Sequence, residues 1–308
     1  MTPAAADTLG VIGAGAVGQA VAATLVASGL PGRLLVASRV LDQAAALTAD
    51  LEDMRHATAS PVRSEACDVA GLADCATIVV AVRASFTNTN TANVRMAGAA
   101  ANAPVIRTLA TRLRGYQGTV LVVTNPVDLM TRLFAETSGC RRVYGIGSNL
   151  DSARYRLTLA RLLDVSADTV RGHVIGEHGD GAVVCASTTT VNGAPADVPL
   201  AEVRAELRTR PGRISAGVGR TRSGPAGAVL SALHKVLGLA DGTEELTCEH
   251  EGDWLGIPLR FTSGLPVACL PALDADEGTQ LAATITKLRG AYQALGCPAP
   301  FPTSVETT

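Results

Sequence analysis

The stretch Leu9-Gly10-Val11-Ile12-Gly13-Ala14-Gly15-Ala16-Val17-Gly18-Gln19-Ala20 decides the fold. Four uncharged residues lead into glycines spaced G-x-G-x-x-G, and an alanine- and valine-rich run continues to Ser28 before Gly29. This pattern predicts a short buried strand over 9–12, a turn over 13–18 and a helix over 16–28. Each glycine has its own task. Gly13 permits a tight turn, Gly15 lets the backbone approach a pyrophosphate, and Gly18 lets helix and strand pack closely. Ala16 and Val17 open the helix, whose N-terminus faces the phosphates.

Outward from this unit, strands are predicted over 34–37, 77–82 and 119–123, with helices over 42–57 and 96–113. Runs such as Ile78-Val79-Val80-Ala81-Val82 lack polar alternation, as expected of strands covered on both faces. Strands alternating with helices predict an α/β fold, a doubly wound parallel Rossmann sheet. Past about 146 the pattern changes. A helix is expected over 150–163, strands over 172–175 and 183–191, and a turn at Asn192-Gly193. Helices over 200–217 and 225–239, strands over 245–249 and 266–270, and a last helix over 276–295 follow. We therefore divide the chain into a dinucleotide-binding domain, 1–146, and a mixed α+β catalytic domain, 147–308, with a loose tail from 297.

Composition narrows the function. At 308 residues and 47% hydrophobic, the chain is about two domains' worth and has ample apolar content for a buried core. Its 26 basic and 28 acidic residues leave a net charge of -2, so there is no basic footprint for nucleic acid and no polybasic membrane anchor. The seven cysteines contain no Cys-x-x-Cys pair, which argues against a disulfide framework or zinc site and suits a reducing compartment. Residues 9–30 are apolar enough to suggest a membrane span, but glycines crowd their first half and Asp7 stands where a signal peptide needs positive charge. The expectation is a cytoplasmic protein.

At the end of the second predicted strand, dinucleotide sites that prefer NAD carry Asp or Glu for the ribose hydroxyls. Here Ser38 and Arg39 stand there. A hydroxyl with a guanidinium accepts a 2′-phosphate that a carboxylate would repel, so NADP(H) is expected ahead of NAD(H). Arg83 is a second candidate phosphate contact.

Two further stretches carry chemistry: Asn149-Leu150-Asp151-Ser152-Ala153-Arg154 and Ile175-Gly176-Glu177-His178-Gly179-Asp180. With Thr124-Asn125-Pro126-Val127-Asp128 and the glycine turn, they resemble the lactate and malate dehydrogenase family, in its lactate-dehydrogenase-like branch, over nearly the whole chain. The resemblance implies hydride exchange between a nicotinamide and a 2-oxo or L-2-hydroxy acid, and a homodimer or homotetramer. It implies His178 as the acid and base, Asp151 as its partner, and Arg154 as the clamp on the substrate carboxylate. It also implies Arg95 as a loop residue polarising the carbonyl, Asn125 as an orienter of carbonyl and nicotinamide, and Thr221 as a pocket wall.

The chemistry suits these residue types in its own right. The carbonyl oxygen must gain a proton as hydride reaches its carbon, and histidine titrates near working pH. A carboxylate beside it fixes the tautomer. Arginine three residues from Asp151 shares its helix face and offers a planar fork to a carboxylate. A spacing of H-x-x-x-E-H at 173–178 only imitates a zinc motif, being one residue too long, so no metal is expected.

The loop over 83–95 departs from the family pattern. It is about two residues longer and lacks the second arginine with which malate-specific members bind the distal carboxylate, only Thr87 to Thr91 being available. Phe86 makes it an unusual lid. Arg220 and Arg222 beside Thr221 either neutralise a second anionic group or point to solvent. Lactate-like turnover, of lactate itself or of an atypical 2-oxo acid, is the first expectation. Malate held by Arg220 or Arg222, and a silent nucleotide sensor, are the alternatives.

Overall fold

The computed structural model describes residues 8–85 and 98–296. Arg95, the loop positions from Phe86 to Thr91 and the tail from Cys297 lie outside the described residues. In the first half, β1 (Thr8–Ile12) leads through the glycine turn into α1 (Ala16–Ser28), which ends where Gly29 turns left-handed at φ +68°. Then come β2 (Arg33–Ala37), α2 (Leu41–Thr58), β3 (Arg63–Cys67), β4 (Thr77–Val80) and α3 (Ala99–Arg112). β5 (Thr119–Val122), α4 (Val127–Ser138) and β6 (Arg142–Ile146) complete it.

These six strands lie in the order β3-β2-β1-β4-β5-β6, every neighbouring pair parallel. The chain winds outward from β1 in one direction and from β4 in the other. A crevice therefore opens beyond the C-terminal ends of β1 and β4, where a doubly wound sheet takes its ligand. All four residues of β4 and of β5 are buried, as their apolar sequences require, whereas β3 is half-exposed at the edge. Each fully buried Leu or Ile here, such as Leu34, Ile78 or Leu121, is worth about 1.5–3 kcal/mol of transfer free energy.

The second half contains α5 (Ser148–Leu162), then the short strands β7 (Val170–Arg171), β8 (Val174–Gly176), β9 (Ala182–Val184), β10 (Thr190–Val191) and β11 (Ala194–Pro195). Two helices, α6 (Leu200–Val218) and α7 (Ser223–Val236), precede the hairpin β12 (Gly242–His250) and β13 (Asp253–Thr262), then β14 (Leu265–Ala268) and α8 (Ala275–Gln293). β12 pairs antiparallel with β6, so the sheet continues through β12-β13-β8-β9 with β14 on β13. One apolar core runs through both halves, joining Leu9, Val79 and Leu121 to Val229, Leu246 and Ile257. Among the described residues no helix is long and apolar enough to cross a membrane.

The architecture is the expected one, with local differences. The strand expected over 183–191 is two strands, because the Ser187 backbone amide and hydroxyl both donate to Glu277 of α8, at 2.9 and 2.6 Å, and the chain turns there. The strand expected over 172–175 is likewise split into β7 and β8, and the strand at 266–270 lies over Leu265–Ala268. β3, α4, β6 and β13 were not anticipated. Asn192-Gly193 does form the hairpin turn between β10 and β11, with positive φ at both residues.

Candidate active site

The glycine turn is built by steric exclusion. Gly13 sits at φ +119°, and a Cβ there would lie 2.5 Å from the Ala81 carbonyl oxygen at the end of β4. A Cβ on Gly18 would lie 1.7 Å from the Gly13 oxygen. A Cβ on Gly15 would meet no protein atom within 4 Å. The first two glycines are thus demanded by the protein's own packing, and Gly15 faces open space. No side chain caps α1, which leaves its first backbone N–H groups directed at that space. Both features suit a pyrophosphate approaching the backbone.

Beyond β2, Ser38 donates its hydroxyl to Gln43 Oε1 at 3.0 Å, and Arg39 is exposed beside them. Ser38, Arg39 and Gln43 border one cleft of about 1050 Å3 with Arg83. Gln43 had escaped notice in the sequence, where it is one more residue of a helical run.

The far side of the cleft starts at the cis peptide Asn125-Pro126, between β5 and α4. Asn102 of α3 is buried and bridges two loops there, its amide donating to the Asn125 carbonyl at 2.7 Å and its oxygen accepting from the Ala84 backbone at 2.8 Å. Thr124 donates to the Val82 carbonyl at 2.8 Å. These bonds hold the ends of β4 and β5 in register beneath the crevice.

α5 begins immediately after β6 and presents Asp151 and Arg154 one turn apart; His178 follows β8. The His178 Nδ1 and Asp151 Oδ2 are 2.6 Å apart, and Arg154 Nη1 donates to Asp151 Oδ1 at 3.2 Å. His178, Asp151 and Arg154 are 8%, 4% and 5% exposed, so the pairing is shielded from water and holds the ring firmly. With Nδ1 engaged by a carboxylate, Nε2 is the ring nitrogen through which a proton can be exchanged with the cleft. The ring lies against Gly147, where a Cβ would fall 2.5 Å from His178 Cγ. Behind it, the His178 backbone amide donates to Asp128 Oδ2 at 2.8 Å, and Thr247 donates to Asp128 Oδ1 at 2.6 Å.

His178, Arg154, Asn125 and Thr221 border the same cleft as Gly13, Gly15, Ala16 and Val17. Gly18 and Asp151 stand behind that lining as supports. Arg220 borders the cleft, whereas Arg222 does not and stands at the N-cap of α7. His173 of the imitation zinc motif bonds Glu245 at 2.7 Å. Among the described residues no group of three or more His, Cys, Asp or Glu is disposed to hold a metal. Gln43, Asn102, Asp128 and Thr247 were missed, and only Asp128 lay in a motif that the sequence had singled out.

The chain is similar to known proteins in sequence and in fold. Residues 8–147 match the lactate/malate dehydrogenase NAD binding domain, and residues 148–207 match the family's alpha/beta C-terminal domain. L-lactate dehydrogenase 2 of Lactococcus lactis subsp. lactis is 33% identical over 189 residues, 60% of this chain, and the match spans 59% of that relative's length. L-lactate dehydrogenase of Lactobacillus delbrueckii subsp. bulgaricus is 30% identical over 254 residues, 79% of this chain and 81% of the relative. In fold, the chain is similar to the ligand-bound minor L-lactate dehydrogenase of Enterococcus mundtii, with a TM-score of 0.87 at 20% identity over 94% of this chain and 98% of that one.

Proposed function

The chain belongs to the lactate/malate dehydrogenase family, and from that premise we propose that it interconverts a small 2-oxo acid and the L-2-hydroxy acid with a nicotinamide cofactor. The observation that carries this reading is the buried His178–Asp151–Arg154 group opening onto the same cleft as the glycine turn. Gly13, Gly15 and Gly18 with the uncapped start of α1 would hold the pyrophosphate. The dinucleotide, when bound, supplies or takes up the hydride.

In reduction, His178 gives its Nε2 proton to the carbonyl oxygen, so one hydride and one proton complete the alcohol. Asp151 stabilises the imidazolium and keeps the second proton on Nδ1. The Arg154 fork grips the substrate carboxylate, and Asn125 orients the carbonyl. Arg95 polarises it from the loop. Thr221 walls the pocket. In oxidation the same residues act in reverse, with His178 accepting the proton.

NADP(H) is the favoured cofactor and NAD(H) the alternative. Ser38, Gln43 and Arg39 border the cleft where a carboxylate would otherwise discriminate, and Arg83 adds a further positive group. The test is loss of reduced-nicotinamide absorbance with NADPH and NADH in parallel against pyruvate, oxaloacetate and longer 2-oxo acids. Arg39→Asp should lower the NADPH-to-NADH efficiency ratio by about tenfold or more, the worth of a lost charge-assisted bond. An unchanged ratio refutes the preference. For a substrate with a second acidic group, the alternative of malate held by Arg220 or Arg222 is better served by Arg220, the arginine of that pair on the cleft. Six free cysteines among the described residues fit the cytoplasm. Exposed Leu157 and Leu162 on α5, with Leu163 at its C-cap, fit burial against another subunit of a homodimer or homotetramer.

A further inference from the structure

Behind His178, on the side away from the cleft, one carboxylate joins three segments that are distant in sequence. Asp128 is the second residue of α4, two residues past the Asn125-Pro126 peptide. It is 2% exposed, and both of its oxygens accept a hydrogen bond, one from the His178 backbone amide and the other from the Thr247 hydroxyl. Thr247 pairs with Gly145 across the β6–β12 junction. The positions of the substrate-orienting amide, the proton donor and the strand joining both halves of the molecule therefore meet at this single group.

We propose that Asp128 is a positioning residue for His178: it fixes the histidine relative to the Asn125 segment and sets the charge behind its ring. The proposal rests on His178 being the proton-exchanging group, as the function above requires.

The electrostatic surroundings make that charge variable. Glu177, beside His178, and Asp151 of α5 both oppose ionisation of Asp128. Arg132 of α4, Asp253 of β13 and Arg289 of α8 line a small cavity against it, but Arg132 pairs with Glu136 and Arg289 with Asp253. Burial is the largest influence and pushes the Asp128 carboxyl up to about 7, although the Thr247 and His178 bonds favour the anion. Asp128 thus gains its negative charge as pH rises through neutrality. That added charge favours the His178 imidazolium.

A purely structural carboxylate would leave the ring's titration alone when replaced by asparagine, which has the same shape. The test is NMR titration of the histidine ring resonances in the full chain, with His178 assigned by its loss in His178→Gln. Asp128→Asn is expected to lower the His178 midpoint by about one pH unit. Thr247→Val, which removes a bond favouring the anion, should move the Asp128-dependent inflection of the His178 curve to higher pH, and Thr247→Ser should restore it. A His178 midpoint in Asp128→Asn within about 0.2 unit of the parent overturns the proposal. So does a Thr247→Val curve that superposes on the parent's, and this second comparison decides alone if Asp128→Asn does not fold. No turnover is needed for the titration, so an inactive wild type refutes the dehydrogenase reading and leaves this measurement standing.

Discussion

The two ends of the cleft are made of different material. At the end near α1, the part of the site facing the glycine turn is backbone: three glycines and the uncapped start of a helix, with Ser38, Arg39 and Arg83 further along the same cleft. At the other end it is side chains, with buried Arg154 bonded to Asp151, Asp151 to the His178 ring, and Asp128 to the His178 backbone amide. A backbone site fails when an atom is added, because there is no room for it. A side-chain site fails when a charge is removed, because its buried partners are left unsatisfied.

The sharpest way to break this contrast is at His178. His178→Gln keeps the ring site filled but cannot exchange a proton, and kcat should fall by about 10²–10⁴-fold with the melting temperature nearly unchanged. Arg154→Leu should act on the same end through substrate affinity, lowering kcat/KM for the 2-oxo acid by about 10²-fold, the worth of a bidentate charged pair. Retained activity in either variant would overturn the roles assigned. At the backbone end, Gly18→Ala forces a Cβ into the Gly13 carbonyl and should weaken cofactor binding by about tenfold or more while lowering the melting temperature by several degrees. Gly15→Ala meets only open space in the protein, so it should leave the melting temperature alone and weaken cofactor binding. Equal thermal effects from the two alanines would show that the steric distinction between the glycines is wrong.

A smaller effect separates the ends by pH. The Asp128 carboxyl titrates higher in the folded chain than in the unfolded one, so the folded chain keeps a proton that the unfolded chain gives up between about pH 4 and 7. Its contribution to stability therefore declines as pH rises through that window. Asp128→Asn should flatten the fall in melting temperature between pH 5 and 7.5 relative to the parent, while Gly15→Ala should track the parent throughout. A slope equal to the parent's in Asp128→Asn would contradict the raised carboxyl.

The same contrast decides what could be read in advance. The α1 boundaries follow from local chemistry, a glycine turn before it and a left-handed glycine after it, and the helix was expected at Ala16–Ser28, where it is found. His178, Asp151 and Arg154 were legible because short motifs surround them. Asn102, Thr247 and the part played by Asp128 were not, because each depends on a partner brought near by folding: Thr247 stands 119 residues from Asp128, and Asp128 stands 50 from His178. Among strands, β13 escaped notice because Pro258 interrupts it, a residue normally kept out of strand interiors. β3 escaped because, at the sheet edge, it carries the polar sequence Arg63-Ser64-Glu65. Conversely, the overlong strand at 183–191 was cut by Glu277, about ninety positions away, which no local pattern announces.

The antiparallel join of β12 to β6 has a mechanical consequence. Leu246 and Thr247 pair with Ile146 and Gly145 immediately before the chain enters α5, so the floor of the crevice is one continuous ladder passing beneath both ends of the site. A jaw-like rotation of one half against the other would have to unzip that ladder. The ladder therefore ties the two ends of the site together through the sheet beneath them. Severing the chain after residue 147 and discarding the remainder would bare the β6 edge, an invitation to pair with another chain. The excised first half should therefore self-associate before it behaves as an independent nucleotide-binding unit.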